Sequence, residues 1–227
     1  MQPYFITSSG TDIGKTLVTC ALCWQLRQLG RTVTALKPVI TGYDPEDPMM
    51  DSGRILQSCG ITPTGALMET ISPWRFHAPL TPSMAAAQEG RTIDIKQLAD
   101  FCRDHTELNT DVLLIEGAGG VMAPLSERHT MLDWMVTLNW PVILVVGTYL
   151  GALSHTLTAI EVLRSRGLTL QALVISESLY DSVSLDDTAT TLEKFLPKTI
   201  PIVKIPRVGT REDDWKYVPP ISWLCRT

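Results

Sequence analysis

The segment Ile6 to Cys20, ITSSGTDIGKTLVTC, constrains the fold more than any other part of the chain. Its Gly14-Lys15-Thr16 is the ending of a phosphate-binding loop, although the G-x-x-x-x-G-K-[ST] spacing asks for glycine at position 9 and Ser9 stands there. Such a loop works only between a strand and a helix. Backbone N–H groups and the helix N-terminus then converge on phosphate oxygens, the lysine adds a point charge, and the Ser/Thr hydroxyl serves a magnesium ion. The context fits. PYFIT ahead of the loop is a short apolar run, and Leu17, Val18, Ala21, Leu22 and Leu26 recur at helical spacing until Gly30. A plain strand-to-helix turn is the competing reading. Ser9 is tolerable if its φ is negative, because glycine is required only for positive φ or close approach.

Strand-like and helix-like segments alternate along the rest of the chain. RTVTALKPV reads as the second strand, followed by a Pro/Asp/Gly loop over 41–48 and a helix that opens at Asp51, an N-cap residue type, and stops before Gly60. Further helices are expected at about Asp94 to His105, Met131 to Leu138, Leu153 to Ser165 and Ser184 to Leu196. Strands are expected at DVLLIE, PVILVV, LQALVIS and IPIVKIP. The Pro- and Thr-rich middle, ITPTGALMETISPWRFHAPLTP, has little period and is expected to be an irregular excursion. The tail REDDWKYVPPISWLCRT holds two tryptophans and is expected to dock on the body. The fold class is α/β: one domain over 1–227, with a parallel sheet covered by helices on both faces. Ligands bind such sheets beyond the carboxyl ends of the strands. That rule gathers Gly14 to Thr16, Lys37, Glu116 to Gly120, Tyr149 to Ser154 and Ser176-Glu177 into one crevice.

A net charge of −5 with few, scattered lysines leaves no basic footprint for nucleic acid, so a small molecule is the expected partner. No apolar stretch approaches the ~20 residues of a membrane span, and no leader-like segment precedes the first strand, which points to the cytoplasm. Five cysteines suit a reducing compartment. Cys20 and Cys23 form a C-x-x-C, but a turn into the expected helix rather than at its start, so buried small side chains are the plainer reading.

Three residues carry chemistry beside the loop. Glu116 ends a buried apolar strand, where a carboxylate is costly unless a cation meets it; it is either a magnesium ligand beside Thr16 or a turn glutamate. Asp51 is a second carboxylate for that ion, an N-cap, or both. Lys37, at a strand end before Pro38, either neutralises charge in phosphoryl transfer or is simply solvated.

Taken together, GTDIGKT, ALKPVITG, AAAQEGR, IEGAGGVMAPL, Asp133-Trp134 and PVILVVGTYLGALSH closely resemble the dethiobiotin synthetase family, in order from the first strand to about Ser176. The resemblance implies a homodimeric P-loop NTPase-like fold and an ATP-dependent cyclo-ligase. Its substrates would be 7,8-diaminopelargonic acid, carbon dioxide and ATP with Mg2+. One amine becomes a carbamate, the γ-phosphoryl group moves to it, and the second amine closes the ureido ring and expels phosphate. By motif position Lys37, Lys15 and Thr11 are implied as catalytic, and Thr16, Asp51 and Glu116 as magnesium ligands. The nucleotide is implied to meet Asp12, Ile13, Gly14, Lys15, Thr16, Leu17, Asp51, Glu116, Gly117, Ala118, Gly119, Ser176, Glu177, Ile205, Pro206 and Arg207. The diamine is implied to meet Thr41 and, at its far carboxylate, the helix start Gly151, Ala152, Leu153 and Ser154, which in the family comes from the partner subunit.

Two departures stand out. Ser8, Ser9 and Gly10 occupy positions where Gly, Thr and Asp are common in the family. Ser176-Glu177 replaces a common Asn-Asp whose asparagine reads adenine. An amide offers a fixed donor and acceptor where serine offers one rotating hydroxyl, so base selectivity is expected to relax. Rival readings are a glutamine-dependent ligase, for which the chain lacks a glutaminase domain, and a switch or regulatory P-loop ATPase without this turnover.

Overall fold

Every residue of Val112–Glu116 and of Val142–Val146 is fully buried. Successive strand side chains point to opposite faces, so such runs need cover on both. In the computed structural model, which describes residues 1–179, 183–209 and 212–225, that cover is present. The elements are β1 (Gln2–Ser8), α1 (Lys15–Gln28), β2 (Val33–Leu36), β3 (Val39–Thr41), α2 (Asp51–Ser58), α3 (Gly65–Ile71), β4 (Trp74–Phe76), α4 (Pro82–Gln88), α5 (Ile95–Asp104), β5 (Val112–Glu116), α6 (Met131–Leu138), β6 (Val142–Val146), α7 (Ala152–Ser165), β7 (Leu170–Ser176), α8 (Leu185–Glu193) and β8 (Ile202–Ile205). The main sheet runs β2-β5-β1-β6-β7-β8, and every pairing in it is parallel.

This order places β1 between β5 and β6 and makes the ends of β1, β2 and β5 neighbours. Residue 116 pairs with Ile6, and Leu36 with Ile115, so the positions just beyond β1, β2 and β5 share one rim. The chain leaves β1 toward one edge and later returns to its other side at β6, which opens the crevice that α/β sheets use for ligands.

Local signals explain where elements start and stop. Thr130 donates from N and Oγ1 to Asp133 Oδ2, both at 2.8 Å, a capping box that opens α6, and left-handed Asn139 (φ 53°) closes it. The expected bounds of that helix are met exactly for this reason. Asp94 caps α5 by accepting from the N–H groups of Lys96 and Gln97.

Three expectations are corrected. The Pro- and Thr-rich middle is not irregular: α3 and β4 lie in it and α4 opens at its last residue, Pro82, with Thr64 accepting from Leu67 N to open α3. Short elements of this kind leave too few turns for a period to show. RTVTALKPV is not one strand, because Pro38 cannot donate to a ladder and the chain changes sheets there; β3 pairs with β4 instead. Asp51 is not an N-cap. Met50 holds that position with no side-chain bond, and Asp51 is the first helical residue.

The tail docks as expected, apart from Arg211, Arg226 and Thr227, which lie outside the described residues. Trp215, Val218, Ile221 and Leu224 are buried. Gln25 of α1 secures the tail with both ends of its amide. It donates to the carbonyls of Val218 (3.1 Å) and Pro219 (3.0 Å) and accepts from the N–H groups of Ile221 (2.7 Å) and Ser222 (3.1 Å).

Candidate active site

The loop between β1 and α1 answers the question of its displaced glycines. Positive φ falls on Asp12 (56°) and Gly14 (97°), whereas Ser9 is not among the described non-glycine residues with positive φ. Serine at position 9 therefore costs no backbone strain. Gly14 cannot carry a side chain, since a Cβ there would come within 2.8 Å of Ser176 Oγ. Gly14 is also the residue preceding α1, and no side chain caps that helix start. Its first-turn N–H groups and the positive end of its dipole face the cleft, which is an anion site by construction.

Lys15 folds back along the loop, donating to Ser8 Oγ at 3.1 Å and to Gly10 O at 3.4 Å. Ser8 Oγ in turn lies against the carbonyls of Gly10 and Gly119. The lysine is buried. Burial lowers its pKa, and the neighbouring charge of Lys37 lowers it further, to about 8.

Behind the loop lies a compact ionic cluster. Lys37 Nζ is 2.6 Å from both Asp51 Oδ2 and Glu116 Oε1. Thr16 Oγ1 is 2.9 Å from Asp51 Oδ1 and 2.7 Å from Glu116 Oε1. Lys37 is 5% exposed and Glu116 fully buried, so neither the solvated-lysine nor the turn-glutamate reading holds. Burial alone would push the Lys37 pKa down; Asp51 and Glu116 outweigh it and hold the ammonium above its ordinary value. Burial raises Asp51 as well, and the attraction of Lys37 and the Thr16 hydroxyl bring it down to about 2.

The cluster has the donor set that magnesium takes. Asp51 and Glu116 each place a hard carboxylate oxygen at hydrogen-bond distance from Thr16 Oγ1, and Glu116 Oε2 is buried without a hydrogen-bond partner. An unpaired carboxylate oxygen in a dry interior is costly, and a cation at this point would satisfy it.

Two adjoining clefts surround the loop. The smaller, about 340 Å3, is lined by Thr11–Leu17, Lys37, Val39–Thr41, Asp51, Arg54, Ala118 and Gly119. The larger, about 710 Å3, shares Thr11–Gly14 and Leu17 and continues to Tyr149, His155, Ser176–Leu179, Pro206–Gly209 and Asp214. Most residues implied for nucleotide thus meet in one place. Glu116, Gly117 and Ile205 do not line either cleft: Glu116 is fully buried beneath Lys37 and Thr16, Gly117 packs under Phe5, where a Cβ would come within 3.0 Å of the ring, and Ile205 is a buried strand residue whose carbonyl accepts from Glu177 N at 3.0 Å. Gly151 to Ser154 also lie outside both linings, at the start of α7 beyond Tyr149. Sequence reasoning missed Arg54, His155 and Asp214. Arg54 had a signal, since it follows Asp51 by three residues and so shares its helix face; Asp214 had none.

A protein-family model described as an AAA domain matches residues 2–210. The chain is 45% identical over 212 residues to the ATP-dependent dethiobiotin synthetase BioD of Caulobacter vibrioides (strain NA1000 / CB15N), a match covering 92% of this chain and 94% of that protein. It is 44% identical over 213 residues to the protein of the same name from Phenylobacterium zucineum (strain HLK1), covering 92% and 90%. A solved structure of the MinC:MinD cell division protein complex from Aquifex aeolicus superposes with a TM-score of 0.58 at 15% identity, over 96% of this chain and 86% of that one, which shows a common fold alone. No described helix is long and apolar enough to cross a membrane. With relatives this similar along nearly their whole length, the chain belongs to the dethiobiotin synthetase family.

Proposed function

We propose that this chain is an ATP-dependent ligase that closes the ureido ring of dethiobiotin from 7,8-diaminopelargonic acid and carbon dioxide, releasing ADP and phosphate. The observation that carries the reading is that Lys15, Thr16, Lys37 and Asp51 line one cleft at the strand ends with Glu116 paired to Lys37 and Thr16 beneath it, in a chain whose relatives bear that activity in their names. A switch-type ATPase is not favoured.

Phosphoryl transfer to a weak, anionic carbamate needs neutralisation and positioning more than covalent catalysis. In this reading Lys15 and the first-turn N–H groups of α1 hold the β- and γ-phosphates, with Thr11 beside them. Lys37 meets the carbamate and the transferring group, and Thr41 contacts the diamine. Thr16, Asp51 and Glu116 would hold magnesium, which supplies charge neutralisation across the phosphates when bound. The base occupies the larger cleft beside Ser176, Glu177, Pro206 and Arg207. Gly151 to Ser154 offer the N-terminus of α7 to the substrate carboxylate across a homodimer, which accords with their place outside their own chain's clefts. The chain works as one P-loop domain in the cytoplasm.

Base selectivity is expected to be relaxed. Ser176 is 9% exposed with its hydroxyl against Gly14, and Glu177 spends one carboxylate oxygen on the N–H of Arg207 at 2.8 Å. A nucleotide panel in which ATP outperforms both CTP and GTP a hundredfold would sink this expectation. The ligase itself is tested by mass spectrometry of dethiobiotin, with diamine, bicarbonate, magnesium and ATP omitted in turn. Product that requires all four supports the assignment, and ATP binding without product removes it.

A further inference from the structure

The two clefts meet at an ion pair that none of the phosphate-loop chemistry uses. Arg54, on the cleft-facing side of α2, lines the smaller cleft with Lys15, Lys37 and Asp51. Asp214, in the tail, lines the larger one. Arg54 Nη2 lies 2.5 Å from Asp214 Oδ1, with the two side chains only 24% and 17% exposed. The guanidinium also sits 5.7 Å from the ring centre of Trp215, which is itself 3% exposed. An arginine held on one side by a carboxylate and on its face by an indole has few orientations left.

We propose that Arg54 is a nucleotide-binding residue that contacts the polyphosphate of the bound nucleotide, and that Asp214 is the positioning residue that aims it. A nucleotide with its base in the larger cleft and its phosphates on the loop must run past the junction where this pair stands. The pair commits Nη2 and leaves the other edge of a planar five-donor fork for a pair of phosphate oxygens, the geometry guanidinium groups match best. Asp214 has a second effect: its charge offsets one of three cations, Lys15, Lys37 and Arg54, that would otherwise repel one another around the smaller cleft. The C-terminal tail, anchored on α1 by Gln25, thereby becomes part of the nucleotide site.

This inference rests on the reading of the clefts as the nucleotide site, so its test uses direct binding rather than turnover. MgATP is titrated into the full-length protein by calorimetry for wild type, Arg54→Gln, Arg54→Lys, Asp214→Asn and the Arg54→Gln/Asp214→Asn pair, with melting temperatures recorded alongside. The expected result is a loss of ATP affinity of fivefold or more in Arg54→Gln, recovered only in part by Arg54→Lys, which keeps the charge but not the planar fork. Asp214→Asn is expected to lose less, and to add nothing in the Arg54→Gln background. A loss below fivefold in folded Arg54→Gln overturns the proposal, as does an Asp214→Asn effect that adds in full to it. Equal losses in Arg54→Gln and Arg54→Lys that track the melting temperature also overturn it, in favour of a purely structural strut. Should Arg54→Gln fail to fold, Arg54→Lys and Asp214→Asn decide: weakened affinity in both at a near-wild-type melting temperature upholds the proposal, and any other pattern rejects it. Wild-type protein that binds ATP yet forms no dethiobiotin would remove the ligase reading and leave this binding comparison standing.

Discussion

The two ends of α1 are stabilised in opposite ways. At its first turn Thr16 meets Asp51 and Glu116 while Lys37 pairs with both carboxylates, an ionic cluster buried at Lys37 and Glu116 and open to the cleft at Asp51, with an unsatisfied oxygen left over. Two turns on, Gln25 uses a neutral amide to satisfy four backbone groups of the tail and leaves nothing unpaired in its own side chain. The first arrangement is a poor way to hold a protein together, because desolvating charges offsets most of what pairing them returns. The second is a good way, because each buried polar group finds its partner at no cost in charge. A helix that must stay fixed while it holds a reactive end open is well served by the combination.

Removing one partner from the ionic cluster should produce the largest change. Lys37→Ala is expected to lower kcat by at least about a hundredfold and to destabilise the magnesium-free protein by roughly 3–5 kcal/mol, because Asp51 and Glu116 lose their cation. Added magnesium should then raise the melting temperature of the variant more than that of wild type. Equal shifts would show that the two carboxylates do not form the ion's cradle.

Gln25→Ala comes next. Four backbone groups of the tail would lose their partners, at an expected cost of about 3 kcal/mol, read as a lower melting temperature with kcat nearly unchanged below the transition. A fall in kcat of the size seen for Lys37→Ala, in folded protein, would abolish the contrast between the two ends of the helix.

The smallest effect concerns the tail's seat. Burial pushes the Tyr4 hydroxyl up from 10.0 to about 12, with the Cys225 thiol beside it adding to the shift. A folded-state pKa above the unfolded one means the unfolded chain releases its proton first. The associated stability is therefore whole below pH 10 and drains away as pH rises toward 12. Tyr4→Phe should flatten the loss of stability between those values in a urea series, and an unchanged slope would place the alkaline sensitivity elsewhere.

The sequence by itself determined the α/β class, the six strands of the main sheet in their order of appearance, the phosphate loop and the chemical kinds of residue around it. These rest on local physics: apolar runs for doubly covered strands, 3.6-residue spacing for helices, and a loop whose backbone must pass from a strand into an uncapped helix. The exact limits of α6 were legible because a capping box and a left-handed asparagine mark them within ten residues of chain. The short elements between Gly65 and Gln88 were not, since a three-residue strand such as β4 gains its stability from pairing with β3 across some thirty residues of sequence.

Tertiary structure alone decided how the chemistry is assembled. Asp51 had the right residue type for a cap and for a metal ligand; packing of α2 beside α1 brings its carboxylate to Thr16 and Lys37, while Met50 takes the capping position without a side-chain bond. Lys37 became a buried, paired ammonium rather than a surface one because β2 ends next to β5, which sets its Nζ 2.6 Å from Glu116. Arg54 and Asp214 are separated by 160 residues and meet only because the tail folds back over α1. Sequence spacing can report what one helix turn or one strand pleat holds together, but charges contributed by separate elements interact through distance and burial, and those exist only in the folded chain.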